Sequence, residues 1–206
     1  MQIKKNDIRQ RVLSESERLF LEKGFQETSI REIVSASGVS LGNLYRYFNS
    51  KDLLFCHVAM PAVQNIRQML DRHHGVNGVD FVDIMEFDSE GYSNEMIEEY
   101  IHLLMANRTS LKLLFFKATG STLENFRETF INEATEVCKQ WYERMKAKHP
   151  QVKADVSEFF IHLSSVCLVS VFEEVVMHDL EERQTREVLS HYVRYEILGW
   201  KEMVHG

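Results

Sequence analysis

The sequence has 206 residues, of which 44% are hydrophobic and 27% charged, with 2 prolines and 9 glycines. This composition is typical of a soluble globular protein with one or two domains, and the few prolines and glycines favour long helices over an all-β fold. The polar N-terminus has no apolar signal region. The apolar run Phe159–Met177 is interrupted by Glu173, Glu174 and other polar residues, so we expect a cytoplasmic protein without a membrane span.

The net charge of −7 is unevenly distributed along the chain. Residues 1–51 contain nine Lys or Arg and six acidic residues, which gives +3, whereas the remainder carries −10. A small basic head on an acidic body is compatible with nucleic-acid binding through the head.

The first predicted helix spans about Asp7–Lys23 and ends at Gly24. Ser29 and Glu32 have the spacing of a capping box, which predicts that a second helix begins there. A tight turn follows this second helix, because the next glycine suits the left-handed conformation.

Another short helix follows the turn. Ser40 can cap it, and Leu44 and Phe48 face inward, which leaves the opposite face exposed. Two short helices joined by a tight turn are the pattern of a helix-turn-helix, whose second helix enters the major groove of DNA.

The rest of the chain also predicts helices. The fourth runs from Asn49 or Ser50 to about His73, with a kink at Pro61. The segment Gly75–Asn94 favours a short helix within a long connection. Further helices are predicted over Glu95–Asn107, Ser110–Ala118, Thr122–Lys148, Val156–Asp179 and Thr185–Val204.

The stretch from Leu19 to Leu54 resembles the DNA-binding signature of the tetracycline-repressor (TetR) family. The resemblance rests on three motifs over roughly the first quarter of the chain. The first is F-x-E-K-G-F, which begins at Phe20 and follows Leu19. The other two are T-S-I-R-E-I and S-G-V-S-x-G-x-L-Y-R-Y-F-x-S-K-D-x-L. It implies an all-α fold with a three-helix DNA-binding domain at residues 1–50. Residues 51–206 would then form a helical ligand-sensing and dimerisation domain.

Eight residues are the candidate DNA contacts. Asn43 can pair with an adenine edge or a phosphate, whereas Leu41 offers only apolar contact, for example to a thymine methyl group. Tyr45 and Tyr47 match the family's phosphate-clamping aromatic positions, the alternative being that they only pack the three-helix core. Lys51 lies in the first helical turn, where the helix dipole also attracts phosphate. The full set is Ser29, Ser40, Leu41, Gly42, Asn43, Tyr45, Tyr47 and Lys51.

The resemblance also implies a homodimer that binds a palindromic double-stranded operator. The last two helices supply the candidate dimer residues, although some of them must belong to the core within one chain. They are Phe172, Val175, Val176, Val188, Leu189, Tyr192, Val193 and Tyr195.

A small-molecule effector site in the middle helices is the third implication. Bulky aromatic residues predict a mostly apolar ligand, aromatic or lipid-like, in a cavity of about 300 Å³ or more, the alternative being ordinary core packing. The candidates are His102, Met105, Phe115, Phe116, Phe126, Phe130, Trp141, Tyr142, Phe159, His162 and Cys167.

No nucleotide-loop, zinc-protease or hydrolase motif occurs, so we expect no enzymatic activity, metal or cofactor. The densest cluster of ligand-type side chains, His73 and His74 with Asp71, Asp80 and Asp83, is interpreted as a solvated loop. The three cysteines are expected to be buried free thiols. The sequence thus predicts a ligand-responsive transcriptional regulator, most simply a repressor; the alternative is a helical protein-interaction module without sequence-specific DNA binding.

Overall fold

A computed structural model describes residues 2–74, 83, 91–152 and 155–205 of the chain. These residues form eight α-helices and no β-strand, which confirms the all-α fold class. The helices are α1 (Gln2–Glu27), α2 (Ile30–Ser37), α3 (Leu41–Tyr45), α4 (Lys51–His74), α5 (Gly91–Phe116), α6 (Phe126–Lys148), α7 (Glu158–Met177) and α8 (Glu182–His205).

The chain divides into two compact units. The first comprises Met1–Val63 and Asn107–Arg127, and the second comprises Gln64–Ala106 and Glu128–Gly206. Helices α4, α5 and α6 therefore each contribute residues to both units, α6 with only its first two residues in the first unit. The division into functional domains at residue 50 stays a prediction.

Helix α1 breaks at Gly24, where the sequence predicts its end. Gly24 has φ 83° and ψ 166°, a conformation that is essentially restricted to glycine. The buried Thr28 side chain donates a hydrogen bond to the Gly24 carbonyl at 2.7 Å, and the Phe25 N–H donates to the Lys117 carbonyl at 2.8 Å. Hydrogen bonds with Thr28 and with Lys117 thus both hold the break in place.

Three phenylalanines form the aromatic centre of the first unit. The rings of Phe20 and Phe25 lie edge-on to Phe55, with centroid distances of 5.1 and 5.3 Å. All three side chains are buried, and each contributes roughly 1.5–3 kcal/mol of hydrophobic free energy. Phe25 can join this cluster because the chain changes direction at Gly24.

Several of the predicted helix boundaries are wrong. Helix α1 begins at Gln2 rather than Asp7, α5 at Gly91 rather than Glu95, and α8 at Glu182 rather than Thr185. The two helices predicted over Glu95–Asn107 and Ser110–Ala118 are one continuous helix, α5, since Arg108 and Thr109 include no residue that breaks a helix. Helix α6 begins at Phe126 rather than at Thr122, because Thr122 lies in a turn where its backbone and side chain bond to another helix. The short helix predicted between α4 and α5 lies outside the described residues.

The second unit has a core rich in aromatic residues. Trp141 lies edge-on to Trp200 at a centroid distance of 5.9 Å, and Tyr100 packs on Phe172 at 5.3 Å. Among the described helices, α7 alone has the length and mean hydropathy of a membrane span. Its residues Ile161, Val169, Phe172, Val175 and Val176 are buried within the protein, as in a core helix.

We predict that Gly24→Ala lowers the free energy of unfolding by about 2 kcal/mol, since alanine is strained in this conformation. Gly199→Ala in α8 is the matched control, because Gly199 has no positive φ and a methyl group there meets no atom within 4 Å. The control should raise stability by roughly 0.5–1 kcal/mol. Urea unfolding measures both variants, and equal stabilities would contradict the assigned role of the break.

Candidate nucleic-acid interface

Helix α2 begins with the capping box that the sequence predicts. The Glu32 N–H donates to Ser29 Oγ at 3.2 Å, and the Ser29 N–H donates to Glu32 Oε2 at 2.8 Å. Lys23 Nζ donates to the other carboxylate oxygen of Glu32 at 2.5 Å. This bond and those from Ser29 lower the pKa of Glu32 to about 2. The start of α2 is thereby fastened to the end of α1.

The turn between α2 and α3 has the predicted geometry. Gly38 has φ 64° and ψ 25°, which is the left-handed region. Ser40 caps α3, and its hydroxyl oxygen accepts a hydrogen bond from the Asn43 N–H at 3.3 Å. The helix-turn-helix prediction is therefore confirmed.

Helix α3 has one buried face and one exposed face. Leu44 and Phe48 are buried, as predicted. Leu41 is 47% exposed and Tyr45 is 45% exposed, and Gly42 is also exposed. Asn43 and Tyr47 are half-buried beside them. The motif thus presents a small surface of mixed polar and apolar character, and the exposure of Tyr45 is more than core packing requires.

Lys51 has partners that the sequence pattern does not predict. Its ammonium group donates hydrogen bonds to the carbonyls of Phe25 at 2.8 Å and Thr28 at 2.9 Å, with a longer contact to Gln26 at 3.4 Å. It also lies 4.2 Å from the centroid of the Phe25 ring. Burial lowers the pKa of Lys51. These contacts give Lys51 a structural role in the motif, while its contact with phosphate stays a prediction.

Asp52 also fixes the start of α4, through hydrogen bonds to a residue far away in the chain. Its carboxylate accepts hydrogen bonds from the Thr122 N–H at 2.7 Å and the Thr122 hydroxyl at 2.8 Å. Sequence reasoning missed this pair because the two residues are far apart in the chain and no local pattern links them.

The second unit contains a mostly apolar cavity of about 120 Å³. Its walls include Tyr100, Trp141 and Trp200, and three polar side chains, His74, Tyr192 and Glu196, also line it. The volume is below the roughly 300 Å³ at which ordinary ligand pockets begin. A more open depression of about 430 Å³ is lined largely by charged residues, including Lys139, Arg144 and Glu158.

Of the predicted pocket residues, only Trp141 lines the apolar cavity. Phe115, Phe116 and Phe126 belong to the first unit. In the second unit, Phe130 is buried in the core, and the largely buried Tyr142 lines the more open depression. Exposed residues are His102, Phe159 and Cys167, and half-buried residues are Met105 and His162. Helical spacing alone could not separate cavity-lining residues from these others.

The predicted dimer residues fall into two groups. Five are buried within the chain itself, namely Phe172, Val175, Val176, Leu189 and Val193. Tyr192 is half-buried, whereas Val188 is 38% exposed and Tyr195 is 73% exposed. Exposed apolar side chains that sequence reasoning missed are Phe160, Leu163, Met177 and Leu198.

The histidine cluster and the cysteines differ from expectation. His73 is buried rather than solvated, with its Nε2 atom 2.5 Å from the Glu99 carboxylate. Asp80 lies outside the described residues, and the described part of the chain contains no group of side chains suited to a metal ion. Cys56 and Cys138 are half-buried and Cys167 is exposed, so the expectation of three buried thiols is wrong. Cys167 lies on the face of α7 that the rest of the chain leaves uncovered.

Helices α2 and α3 thus form a helix-turn-helix whose second helix has an exposed face. Residues 12–58 match the family described as bacterial regulatory proteins, tetR family. Over this segment the chain is similar to the TetR family.

Two sequence relatives are similar over part of their length. The uncharacterized HTH-type transcriptional regulator YerO of Bacillus subtilis is 28% identical over 142 residues, which are 61% of this chain and 46% of YerO. The HTH-type transcriptional regulator UidR of Escherichia coli is 31% identical over 85 residues, 41% of this chain and 42% of UidR. The chain thus spans less than half the length of each of these relatives.

Solved structures share the fold over most of the chain. A transcriptional regulator from Aquifex aeolicus is 19% identical, with a TM-score of 0.61, and the match covers 91% of this chain and 98% of that one. NalD of Pseudomonas aeruginosa, the secondary repressor of the MexAB-OprM multidrug efflux pump, is 20% identical with a TM-score of 0.61, over 91% and 95% of the two chains. At these identities the likeness establishes the fold.

We predict that Lys51→Met lowers the free energy of unfolding by about 2 kcal/mol, because three backbone carbonyls lose the ammonium group that donates hydrogen bonds to them. Arg46→Met removes the same charge from an exposed position of the same motif and should change stability by less than about 0.5 kcal/mol. Urea unfolding followed by far-UV circular dichroism compares them. Equal effects of the two substitutions would rule out the structural role of Lys51.

Proposed function

We propose that this protein is a ligand-responsive transcriptional repressor that binds a palindromic DNA operator as a homodimer in the cytoplasm. The observation that carries the DNA-binding part is the exposed face of α3, held on a buried base of Leu44 and Phe48. A rigidly supported helix with exposed polar and apolar groups is what major-groove reading requires.

Each exposed residue has a distinct task in this proposal. Asn43 reads a base edge, and Leu41 contacts a thymine methyl group where the backbone of Gly42 allows close approach. The hydroxyls of Tyr45 and Tyr47 donate to phosphates, which position the protein without reading sequence. Ser29, Ser40 and Lys51 hold the helix ends, and the N–H groups at those ends face the phosphates.

A protein-interaction module remains the alternative from a different class. The charge of +3 on residues 1–51 favours nucleic acid, since phosphate neutralisation needs a basic surface. Salt dependence separates the two functions. Binding to DNA weakens steeply as salt rises because condensed counterions are released, whereas an apolar protein interface responds little.

A second copy of the chain is the proposed occupant of the exposed apolar face of α7 and α8. On α7, Phe159, Leu163 and Met177 lie within about 40° of one another around the helix axis. On α8, Val188, Tyr195 and Leu198 form a corresponding stripe. Two such helices from each copy build a four-helix interface, and a symmetric pair of heads matches a palindromic site.

The first experiment is selection of random duplex DNA by the purified protein, with affinity for the enriched site measured at several salt concentrations. We expect a palindromic site and a steep loss of affinity with salt. Asn43→Ala should reduce the preference for that site over a mismatched one by about tenfold. Tyr45→Phe should weaken both duplexes equally, by roughly threefold to tenfold. Absence of any enriched duplex would favour the interaction module instead.

We predict that Tyr195→Glu converts the dimer to a monomer in analytical ultracentrifugation, because it places a charge in an apolar interface. Arg183→Glu introduces the same carboxylate at an exposed position in the first turn of α8 and should leave the dimer intact. The monomer should keep its helical content and lose affinity for the palindrome. A Tyr195→Glu protein that stays dimeric would place the interface elsewhere.

A further inference from the structure

The cavity of the second unit has a single acidic side chain in its lining. Glu196 of α8 lies there among apolar and aromatic residues, and the lining contains no Lys or Arg among the residues that the structure describes. The Glu196 carboxylate accepts a hydrogen bond from the Trp200 Nε1 atom at 3.2 Å, and Trp200 lines the same cavity. The wall therefore combines a carboxylate with an indole ring that orients it.

The Glu196 carboxylate has no basic partner in the described part of the chain. The hydrogen bonds that it accepts come from neutral donors, Tyr192 and Trp200, and both of these residues line the cavity. Burial raises the pKa of Glu196, and these hydrogen bonds oppose that effect. A half-buried carboxylate without a counter-ion is costly, and a cation placed near it in a medium of low dielectric constant offsets part of that cost. The charge of Glu196 therefore favours a positively charged ligand.

The rest of the lining contributes no positive charge. His74 is the other lining residue that can carry one, and burial lowers its pKa to about 3, with further contributions from His73 and Arg144. Its imidazole is therefore neutral at physiological pH. Arg144 itself lines the more open depression, and its guanidinium donates to the His74 carbonyl. Glu196 thus sets the sign of the electrostatic potential inside the cavity.

Aromatic side chains surround the same space. Tyr100, Trp141, Tyr192 and Trp200 all line the cavity. The ring of Trp141 is perpendicular to that of Trp200, with a centroid distance of 5.9 Å, so the faces of the two indoles point in different directions. Cations are attracted to the faces of aromatic rings within about 6 Å, and most strongly to tryptophan. This lining favours a cation over an anion for a second, independent reason.

The volume and the apolar walls select the kind of cation. The cavity measures about 120 Å³, and an apolar cavity of roughly 150 Å³ in an engineered protein holds one benzene molecule. An ammonium ion with N–H groups would leave donors unpaired in a mostly apolar lining, which is costly. A quaternary ammonium ion has no N–H group, and its methyl groups suit apolar and aromatic walls.

From the unpaired carboxylate, the aromatic lining and the volume, we propose that the cavity binds a small quaternary ammonium ion. As an assignment of the effector class, this rests on the proposed regulatory function.

The two tryptophans of the chain report occupancy directly, because Trp141 and Trp200 both line the cavity. The probes are tetramethylammonium, tert-butanol and pivalate, which do not absorb where indole fluorescence is excited. Tert-butanol has a similar shape without the charge, and pivalate carries the opposite charge on a similar frame. Each probe is titrated against the purified protein without DNA, and sodium chloride keeps the ionic strength constant.

We expect a saturable response to tetramethylammonium with half-saturation below about 1 mM. Tert-butanol should bind at least tenfold more weakly, and pivalate should give no response over the same range. Equal affinities for tetramethylammonium and tert-butanol would overturn the recognition of charge. Absence of any saturable response to tetramethylammonium would overturn the site itself.

Glu196→Gln tests the carboxylate, since glutamine keeps the size and an oxygen that accepts from Trp200 but removes the charge. The affinity for tetramethylammonium should fall at least tenfold, whereas that for tert-butanol should stay within about twofold. Glu187→Gln is the matched control, because it removes the same charge from an exposed position of α8 outside the cavity lining. Equal losses of tetramethylammonium affinity in the two variants would reduce the effect to net charge and overturn the role of Glu196.

Two further substitutions test the location. Ala134→Leu and Ser164→Leu fill the cavity from α6 and α7, and each should abolish the response to tetramethylammonium. Circular dichroism identifies a variant that fails to fold. Persistent tetramethylammonium binding in a folded variant would overturn the assignment to this cavity.

Operator binding distinguishes this inference from the proposed function. Saturating tetramethylammonium chloride should lower the affinity for the selected operator at least tenfold relative to the same concentration of sodium chloride, and an unchanged affinity would overturn the effector assignment. Operator selection without any saturable response to tetramethylammonium would overturn the inference and leave the proposed function standing. Tetramethylammonium binding without selection of any duplex would contradict the proposed function and leave the cavity site standing.

Discussion

Three backbone carbonyls that follow the break in α1 converge on one ammonium group, that of Lys51. They belong to Phe25, Gln26 and Thr28, which follow the residue where the chain leaves helical geometry, Gly24. The Phe25 carbonyl also accepts from the Thr28 N–H at 3.3 Å. Unpaired carbonyls at a buried helix end are costly, and a cation at the C-terminal end of a helix is favoured by its dipole. Lys51 is itself the first residue of α4, so the same contact fixes where α4 begins. The next residue, Asp52, accepts a hydrogen bond from the Thr122 N–H, which also fixes the start of α4.

Helix α3, which we propose to read DNA, depends on this arrangement because it is too short to be stable by itself. Five residues make little more than one turn, and isolated helices of that length do not form in water. Its geometry is set by its surroundings. Ser40 caps its start, Leu44 and Phe48 are buried on its inner face, and α4 follows it in the chain. The capping box of α2, tied to Lys23, supports it from the preceding side. A surface that must match base edges to within fractions of an ångström gains its rigidity from these supports.

Local patterns in the sequence predict the motif well, whereas contacts between residues far apart in the chain cannot be predicted from such patterns. The capping box at Ser29 and the left-handed Gly38 are written in a few neighbouring residues, so both were confirmed. The partners of Lys51 lie 23 to 26 residues away, and the pairing of Asp52 with Thr122 spans 70. Apolar periodicity on α7 and α8 likewise predicts helices. It could not tell buried Val193 from exposed Tyr195, since both helices are apolar on more than one face.

Those two faces give α8 a connection between the proposed partner and the proposed ligand. Tyr192, Glu196 and Trp200 line the cavity, while Tyr195 and Leu198 lie on the uncovered side of the same helix. A close-packed helix transmits a displacement of one face to the other, because its backbone does not compress. A ligand that binds better to one position of α8 therefore shifts the population toward that position and changes the surface offered to a second copy. Such coupling is reciprocal, so formation of the proposed dimer would also alter the affinity of the cavity for the proposed ligand.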